Sequence, residues 1–165
     1  MGYTLTIGNA ELHSEWPGEC GPEARWTIPV VELPDAPLSP DITGRSNERS
    51  PGYIGWDRFV AAVGLRDVFF DKNRGDCLIA QHPGIVPLTH NHLAAFERAQ
   101  REYVAAHPGS KPGACGCATC DPFPASDNKP SHDPAFDFNL VRLEWLVWWT
   151  RWALKKCERP AFENT

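Results

Sequence analysis

Toward the C-terminal end the hydrophobic pattern stops being a stripe and closes round the helix axis. From Phe138 to Lys156 apolar residues fall at almost every angle of a helical wheel, leaving thin polar strips at Arg142, Glu144, Thr150 and Arg151. A helix apolar nearly all round belongs in the interior of a protein. This one is too short and too interrupted by charge to span a membrane, which takes about 20 mainly apolar residues. Four of the seven tryptophans (Trp145, Trp148, Trp149 and Trp152) lie in it. Burying four such side chains at roughly 200 Å² each is worth about 20 kcal/mol as an upper bound. The pattern predicts a central core helix over 138–156.

Elsewhere the periods are shorter. Tyr3 to Ile7 alternate apolar and polar, and Gly8-Asn9 supplies a turn; Trp26 to Glu32 read as a second strand, with Pro29 at an edge or bulge because it cannot donate a ladder hydrogen bond. The two make an antiparallel pair over 3–32, joined through 17–23. Residues 33–52 are a proline-rich polar connection, long enough that it must wrap the body or line a site. Tyr53, Trp56, Phe59, Val60 and Val63 mark a helix that Gly64 stops, with Val68-Phe69-Phe70 continuing the core and Cys77 to Ala80 reading as a short strand. His82 to Pro87 form a stiff entry to a helix capped by Thr89, with Leu93, Phe96, Tyr103 and Val104 as its apolar stripe. A loop over 108–135 precedes the tryptophan helix. With no internal repeat and no composition break, the chain reads as a single domain over 1–165. Its class is α+β, a small antiparallel sheet of N-terminal strands on about three helices, two of them within 53–107.

Composition narrows the function classes. At 165 residues the chain can bury a real core, and its net charge of −5 argues against a general nucleic-acid binder, whose footprint is basic. The N-terminus lacks the charged and apolar regions of a signal peptide, and no segment reads as a membrane span, so the expectation is a cytoplasmic protein. In that setting six cysteines point to reduced thiols or a metal site rather than a disulfide framework. The tryptophan-rich element could serve a homo-oligomer interface as readily as a core.

Two constellations carry candidate chemistry. Cys115, Cys117 and Cys120 have a C-x-C-x-x-C spacing that can place three thiolates around zinc, with His132, His107 or Cys20 as the fourth ligand; three or four sulfur ligands would make the site structural. The second is a pair of helix starts. Arg45, Ser46, Arg49 and Ser50 precede the first, and His82, Thr89, His90 and His92 surround the second. Free N–H groups and the positive dipole end make such starts receptive to phosphate, and Tyr53 and Trp56 offer a stacking surface for a base. Arg45, Arg49, Ser50, Tyr53, Trp56, His82, Thr89, His90 and His92 are therefore the candidate ligand-binding residues. His90-Asn91-His92 is not an HNH nuclease signature, because histidines at i and i+2 of a helix diverge. With no Walker loop, G-x-G-x-x-G, G-x-S-x-G or H-E-x-x-H, no catalytic residue is assigned.

Several phrases resemble one family. Gly52-Tyr53-Ile54-Gly55-Trp56-Asp57-Arg58-Phe59, Gly64-Leu65 with Phe69-Phe70, His82-Pro83-Gly84 with Pro87-Leu88-Thr89, and Trp145-Leu146 through Trp152-Ala153-Leu154 to Cys157-Glu158-Arg159-Pro160-Ala161 are similar to small proteins of bacteriophages and prophages with no established activity. The likeness covers roughly 50–107 and 138–164, leaving out the N-terminal strands and the cysteine loop. It implies a non-structural phage protein in the host bacterial cytoplasm. There it would counter host defence by sequestering a small phosphorylated nucleotide signal. The alternative is an inhibitor that binds a bacterial defence protein through an acidic surface (Glu11, Glu15, Glu19, Glu23, Glu32 and Asp35). A metal-dependent hydrolase, with a three-ligand metal and a bound water, is the third reading.

Overall fold

The computed structural model describes residues 2–18, 21–38, 44–113, 133 and 135–165, with only the backbone of 14–18 and 21–24. Among them the elements run β1 (Leu5–Asn9), β2 (Glu11–Gly18), β3 (Gly21–Thr27), β4 (Glu48–Arg49), α1 (Tyr53–Ala62), α2 (Arg66–Phe70), β5 (Gly84–Pro87), α3 (His90–Ala106), β6 (Lys111–Pro112), β7 (Phe136–Asp137), α4 (Phe138–Lys156) and β8 (Pro160–Asn164). The architecture is α+β: four helices with an antiparallel sheet of order β4-β1-β8-β5.

Helix α4 has the expected bounds. Asp137 caps it, its carboxylate accepting the Asn139 N–H at 2.8 Å, and Lys155 and Lys156 in the last turn complement the dipole. It packs on α3 on one side and on β1 and β8 of the sheet on the other. Trp145, Trp149, Leu143, Leu146 and Ala153 are buried, joining Leu5, Ile7 and Phe162 from the strands and Phe96 from α3 in one core. Trp56, Phe59 and Phe69 of α1 and α2 close it, with Phe69 stacked on Phe96 at 5.9 Å between centroids. Helix α1 stops at Gly64 by a Schellman arrangement: Leu65 N–H donates to Val60 O at 2.7 Å and Gly64 N–H to Ala61 O at 3.3 Å, with Gly64 at φ +70°.

The N-terminal strands pair differently from the expected two. The 3–13 segment breaks at Ala10, whose N–H goes to Arg159 O. Its first half, β1, pairs with β4 and with β8, and its second half, β2, forms a hairpin with β3. Strand β3 ends at Thr27 rather than running through Pro29, because the following backbone groups are taken by side chains. Ile28 N–H donates to Glu163 Oε2 at 2.8 Å, while Asn47 accepts from Val31 N–H at 2.8 Å and donates to Pro29 O at 3.1 Å. Asn47 also donates to Ile7 O at 2.9 Å, so one buried amide ties β1 to the segment after β3. Gly8 allows that segment to approach: a Cβ there would lie 2.9 Å from Ile28 Cγ2. Strand β5 lies where the pattern reads only a helix entry, and β8 follows the tryptophan helix where the pattern reads no strand. Conversely, Cys77 to Ala80 form a turn rather than a strand, with Leu78 and Ile79 N–H donating to the carbonyls of Val68 and Phe69. Thr4 and Thr165 exchange two backbone hydrogen bonds, at 2.7 and 2.9 Å.

Candidate functional site

One line of residues along α4 reaches the surface. Glu144 and Trp148 are half-buried and Arg151 is exposed, between neighbours that are mostly buried. Positions 144, 147, 148 and 151 have the i, i+3, i+4, i+7 spacing of a single helical face, and all four line a cleft of about 330 Å³. Gln100 of α3 and Asp35, Ala36, Pro37 and Arg45 of the wrapping segment complete the lining. Leu33 N–H on Arg45 O closes that segment on itself, and Asn47 N–H on Val31 O and the Trp145 indole N–H, which donates to Ser46 O at 2.9 Å, hold it to the body. The described part of the wrapping segment therefore lies against the body and lines this cleft.

The polar groups of the cleft are set in different ways. Arg45 donates to Ala36 O through one guanidinium nitrogen, which fixes the side chain and leaves other N–H donors of the five it carries. Arg151 pairs with Glu97 of α3 at 2.6 Å, with 59% of the arginine side chain exposed, so the pair is a surface contact of small energy. No described residue hydrogen-bonds or pairs with the Glu144 carboxylate, and burial pushes its pKa up from the usual 4.5. Trp148 stands edge-to-face on Trp149 at 4.8 Å between centroids, which fixes the plane of its indole.

The nine residues chosen from sequence separate into groups. Tyr53 and His82 meet: the phenol lies 3.1 Å from His82 Nε2, and His82 Nδ1 lies 2.9 Å from Asn164 Oδ1. Asn164 donates its own amide to the carbonyls of Leu78 and Gly84, at 3.4 and 3.2 Å. Its Oδ1 is thus the acceptor, which puts the His82 proton on Nδ1 and makes Nε2 the acceptor of the Tyr53 hydroxyl. Tyr3 packs edge-on against both rings, at 4.5 and 5.1 Å, and its phenol is raised in pKa by burial, then by Tyr53 and Asp57. This cluster joins the end of β8 to the start of α1.

Trp56 is fully buried, and so is Arg49, whose guanidinium lies 4.6 Å from the Trp56 ring centroid and 5.8 Å from that of Trp145. Both lie within the core. Ser50 is exposed beside them. Thr89 caps α3 as expected, and His92 completes the cap. His92 Nδ1 accepts the Thr89 N–H at 3.1 Å, as the glutamate of a capping box would, and Nε2 donates to Asp76 O at 2.9 Å. His92 is fully buried and His90 is exposed. Arg45 is the residue of the nine that lines the α4 cleft.

Sequence reasoning missed Glu144, Trp148, Arg151 and Gln100 as site residues. The signal was present on the helical wheel, where 144, 148 and 151 lie within about 60° of one another. Cys115, Cys117, Cys120 and His132, with Cys20, lie outside the described residues, as do the side chains of Glu15, Glu19 and Glu23. Among the described residues no group of three or more His, Cys, Asp or Glu could hold a metal, and no helix is long and apolar enough to cross a membrane.

No protein-family model, curated protein or solved structure matches the chain. The functional reading therefore rests on the chemistry of the cleft.

Proposed function

We propose that the protein is a non-catalytic binder of a small phosphorylated nucleotide, held in the α4 cleft. The observation that supports this reading is the convergence of two guanidiniums, an unpartnered carboxylate, a side-chain amide and an oriented indole on one cavity of about 330 Å³. That volume is at the small end of ligand pockets, roughly 300–1,000 Å³, and suits one nucleotide. Trp148 offers a face for a base, and Arg45 and Arg151 offer forked donors for phosphate oxygens. Among the described residues the lining holds no hydroxyl, thiol or imidazole nucleophile, which favours holding a ligand over turning it over. In a phage-infected bacterium such binding would lower the free concentration of a nucleotide signal and so blunt host defence.

Titration calorimetry against ribonucleoside monophosphates, triphosphates and cyclic nucleotides tests the proposal. Saturable binding is expected, weakened at least tenfold in Trp148→Ala and in Arg45→Ala, since each removes an interaction worth about 1–3 kcal/mol. Lack of binding by every member of the panel at millimolar concentration would refute it.

A second reading, capture of a bacterial defence protein, is favoured by a different surface. Leu12, Trp26 and Val30 are exposed at 49, 38 and 55%. Trp26 also lines an apolar groove of about 450 Å³ with Ile85, Leu88 and Ala161. Leu12 and Trp26 are register partners across the β2–β3 hairpin, and exposed apolar side chains set side by side mark interaction surfaces. Loss of pull-down of a defence protein on Trp26→Ser, with nucleotide binding unchanged, would favour this reading.

A further inference from the structure

We infer that the α4 cleft selects guanine among the bases, and that Glu144 is the residue that selects it. The inference rests on the reading of the cleft as a nucleotide site and adds which nucleotide the site takes.

An ionised carboxylate has two acceptor oxygens and no donor. It therefore complements an edge carrying two adjacent donors. Guanine has such an edge, in its ring N1–H and exocyclic N2–H. Adenine presents one amino donor beside the bare N1 lone pair, cytosine one amino donor beside the bare N3, and uracil one N–H flanked by two carbonyls. Each of the last three sets a lone pair against a carboxylate oxygen. A site that must hydrogen-bond its substrate rejects analogues that leave its polar groups unpaired more strongly than an apolar pocket rejects a change of size.

Glu144 meets the requirements from its side. Its carboxylate is half-buried, lines the cleft, and has no partner among the described residues. A desolvated charge without hydrogen bonds is costly, and two donors from one base edge would offset that cost in a single contact. Trp148 follows one turn later on the same face of α4, so a ring stacked on the indole presents its edge near the carboxylate. Arg151 follows after two turns, about 10 Å along the axis, a separation comparable to the length of a nucleoside monophosphate. Its pairing with Glu97 is exposed and can be exchanged for a phosphate. Arg45 and Gln100 line the same space, and Asp35 lies there as a second carboxylate. Among the described lining residues two carboxylates face two guanidiniums and nearly cancel, so discrimination comes from paired donors and acceptors rather than from net charge.

The test is titration calorimetry with the monophosphates of guanosine, inosine, adenosine, cytidine and uridine on the full chain and on Glu144→Gln. For the wild type, guanosine monophosphate should bind at least tenfold tighter than the adenosine, cytidine or uridine compound, tenfold being one charge-assisted hydrogen bond of about 1.4 kcal/mol. Inosine monophosphate keeps N1–H but lacks the amino group and should fall between. Glutamine has one acceptor and one donor, matching the amino group and N1 of adenine. Glu144→Gln should therefore lose affinity for the guanosine compound at least tenfold and gain it for the adenosine compound. Because the change is isosteric and removes a burial penalty, the variant should unfold at or above the wild-type temperature. Equal binding of all five compounds by the wild type would overturn the inference while leaving the nucleotide reading intact. Retention of guanine preference by Glu144→Gln would also overturn it. Binding of none would overturn both.

Discussion

Replacing Asn47 by alanine should destabilise the fold by about 3–5 kcal/mol, more than a typical single substitution. The amide is completely buried. Its nitrogen donates to Ile7 O and Pro29 O, and its oxygen accepts from Val31 N–H. Alanine would leave two carbonyls and one N–H unpaired. Each lost bond costs about 1 kcal/mol, rising to as much as about 3 where the abandoned group stays buried. Water does not easily take over, since a Cβ built on Gly8 would lie 3.2 Å from the Asn47 amide nitrogen, a measure of how closely the site is packed. With an m-value near 2 kcal/mol/M, a loss of about 4 kcal/mol lowers the urea midpoint by about 2 M. Tryptophan fluorescence reports the transition, because Trp145 donates to the carbonyl of Ser46, next to Asn47. Asn47→Asp separates the two halves of the amide. It keeps the acceptor for Val31 but sets a carboxylate oxygen against two carbonyls, and should be at least as unstable as the alanine variant at neutral pH. A midpoint shift under about 0.5 M for alanine, or wild-type stability for aspartate, would show that the amide does not join these segments.

Two further outcomes follow from buried groups. Burial raises the Glu163 carboxyl above 4.5; the neighbouring Glu48 adds to the rise, while the Ile28 N–H and Arg25 oppose it. The folded state then holds this proton more tightly than the unfolded chain. The contribution to stability is complete below pH 4.5 and is lost as pH rises through the folded value. Glu163→Gln keeps an acceptor for Ile28 and should raise the urea midpoint at pH 7 while flattening its pH dependence; an unchanged slope counts against the assignment. Tyr103 is raised to about 12 by burial first and then by its hydrogen bond to Asp137, at 2.7 Å. Absorbance titration near 295 nm should show an ionisation step at about pH 12. Tyr103→Phe should remove that step and cost about 1–2 kcal/mol, whereas ionisation of Tyr103 near pH 10 would mean the bond to the α4 cap is not made.

The parts of the fold legible in sequence are those governed by local period and punctuation. Helix α4 reads from its all-round apolar pattern, α1 from its stripe and the Gly64 stop, and the start of α3 from Thr89. The sheet is less legible because its partners are remote. Pro160–Asn164 contains two apolar residues that could face a core, Ala161 and Phe162. Nothing local says that it inserts beside β1. The side chains that redirect the backbone, Asn47 and Glu163, are polar residues whose role depends on burial that only the tertiary fold supplies. Of the residues lining the α4 cleft, Arg45 is among those the sequence singles out. Trp56 lies in the core, whereas the half-buried Trp148 shares a helical face with Glu144 and Arg151, a distinction that depends on which faces of α1 and α4 the tertiary fold covers.

Strand β8 lies between β1 and β5, in register with both. Among the described elements the first strand and the last are thus immediate neighbours, and the sheet acquires β8, one of its two inner members, only after α1 to α4 have been synthesised. Such long-range closure is entropically costly and slow compared with forming α1 or α3. Until β8 arrives, Leu5, Ile7 and Val86 lack the neighbour that supplies Phe162, and the facing edges of β1 and β5 are open to pairing with other chains. The last of these strands to be synthesised is therefore also the last to be placed, and the period before it arrives is when this chain is most exposed to aggregation and proteolysis.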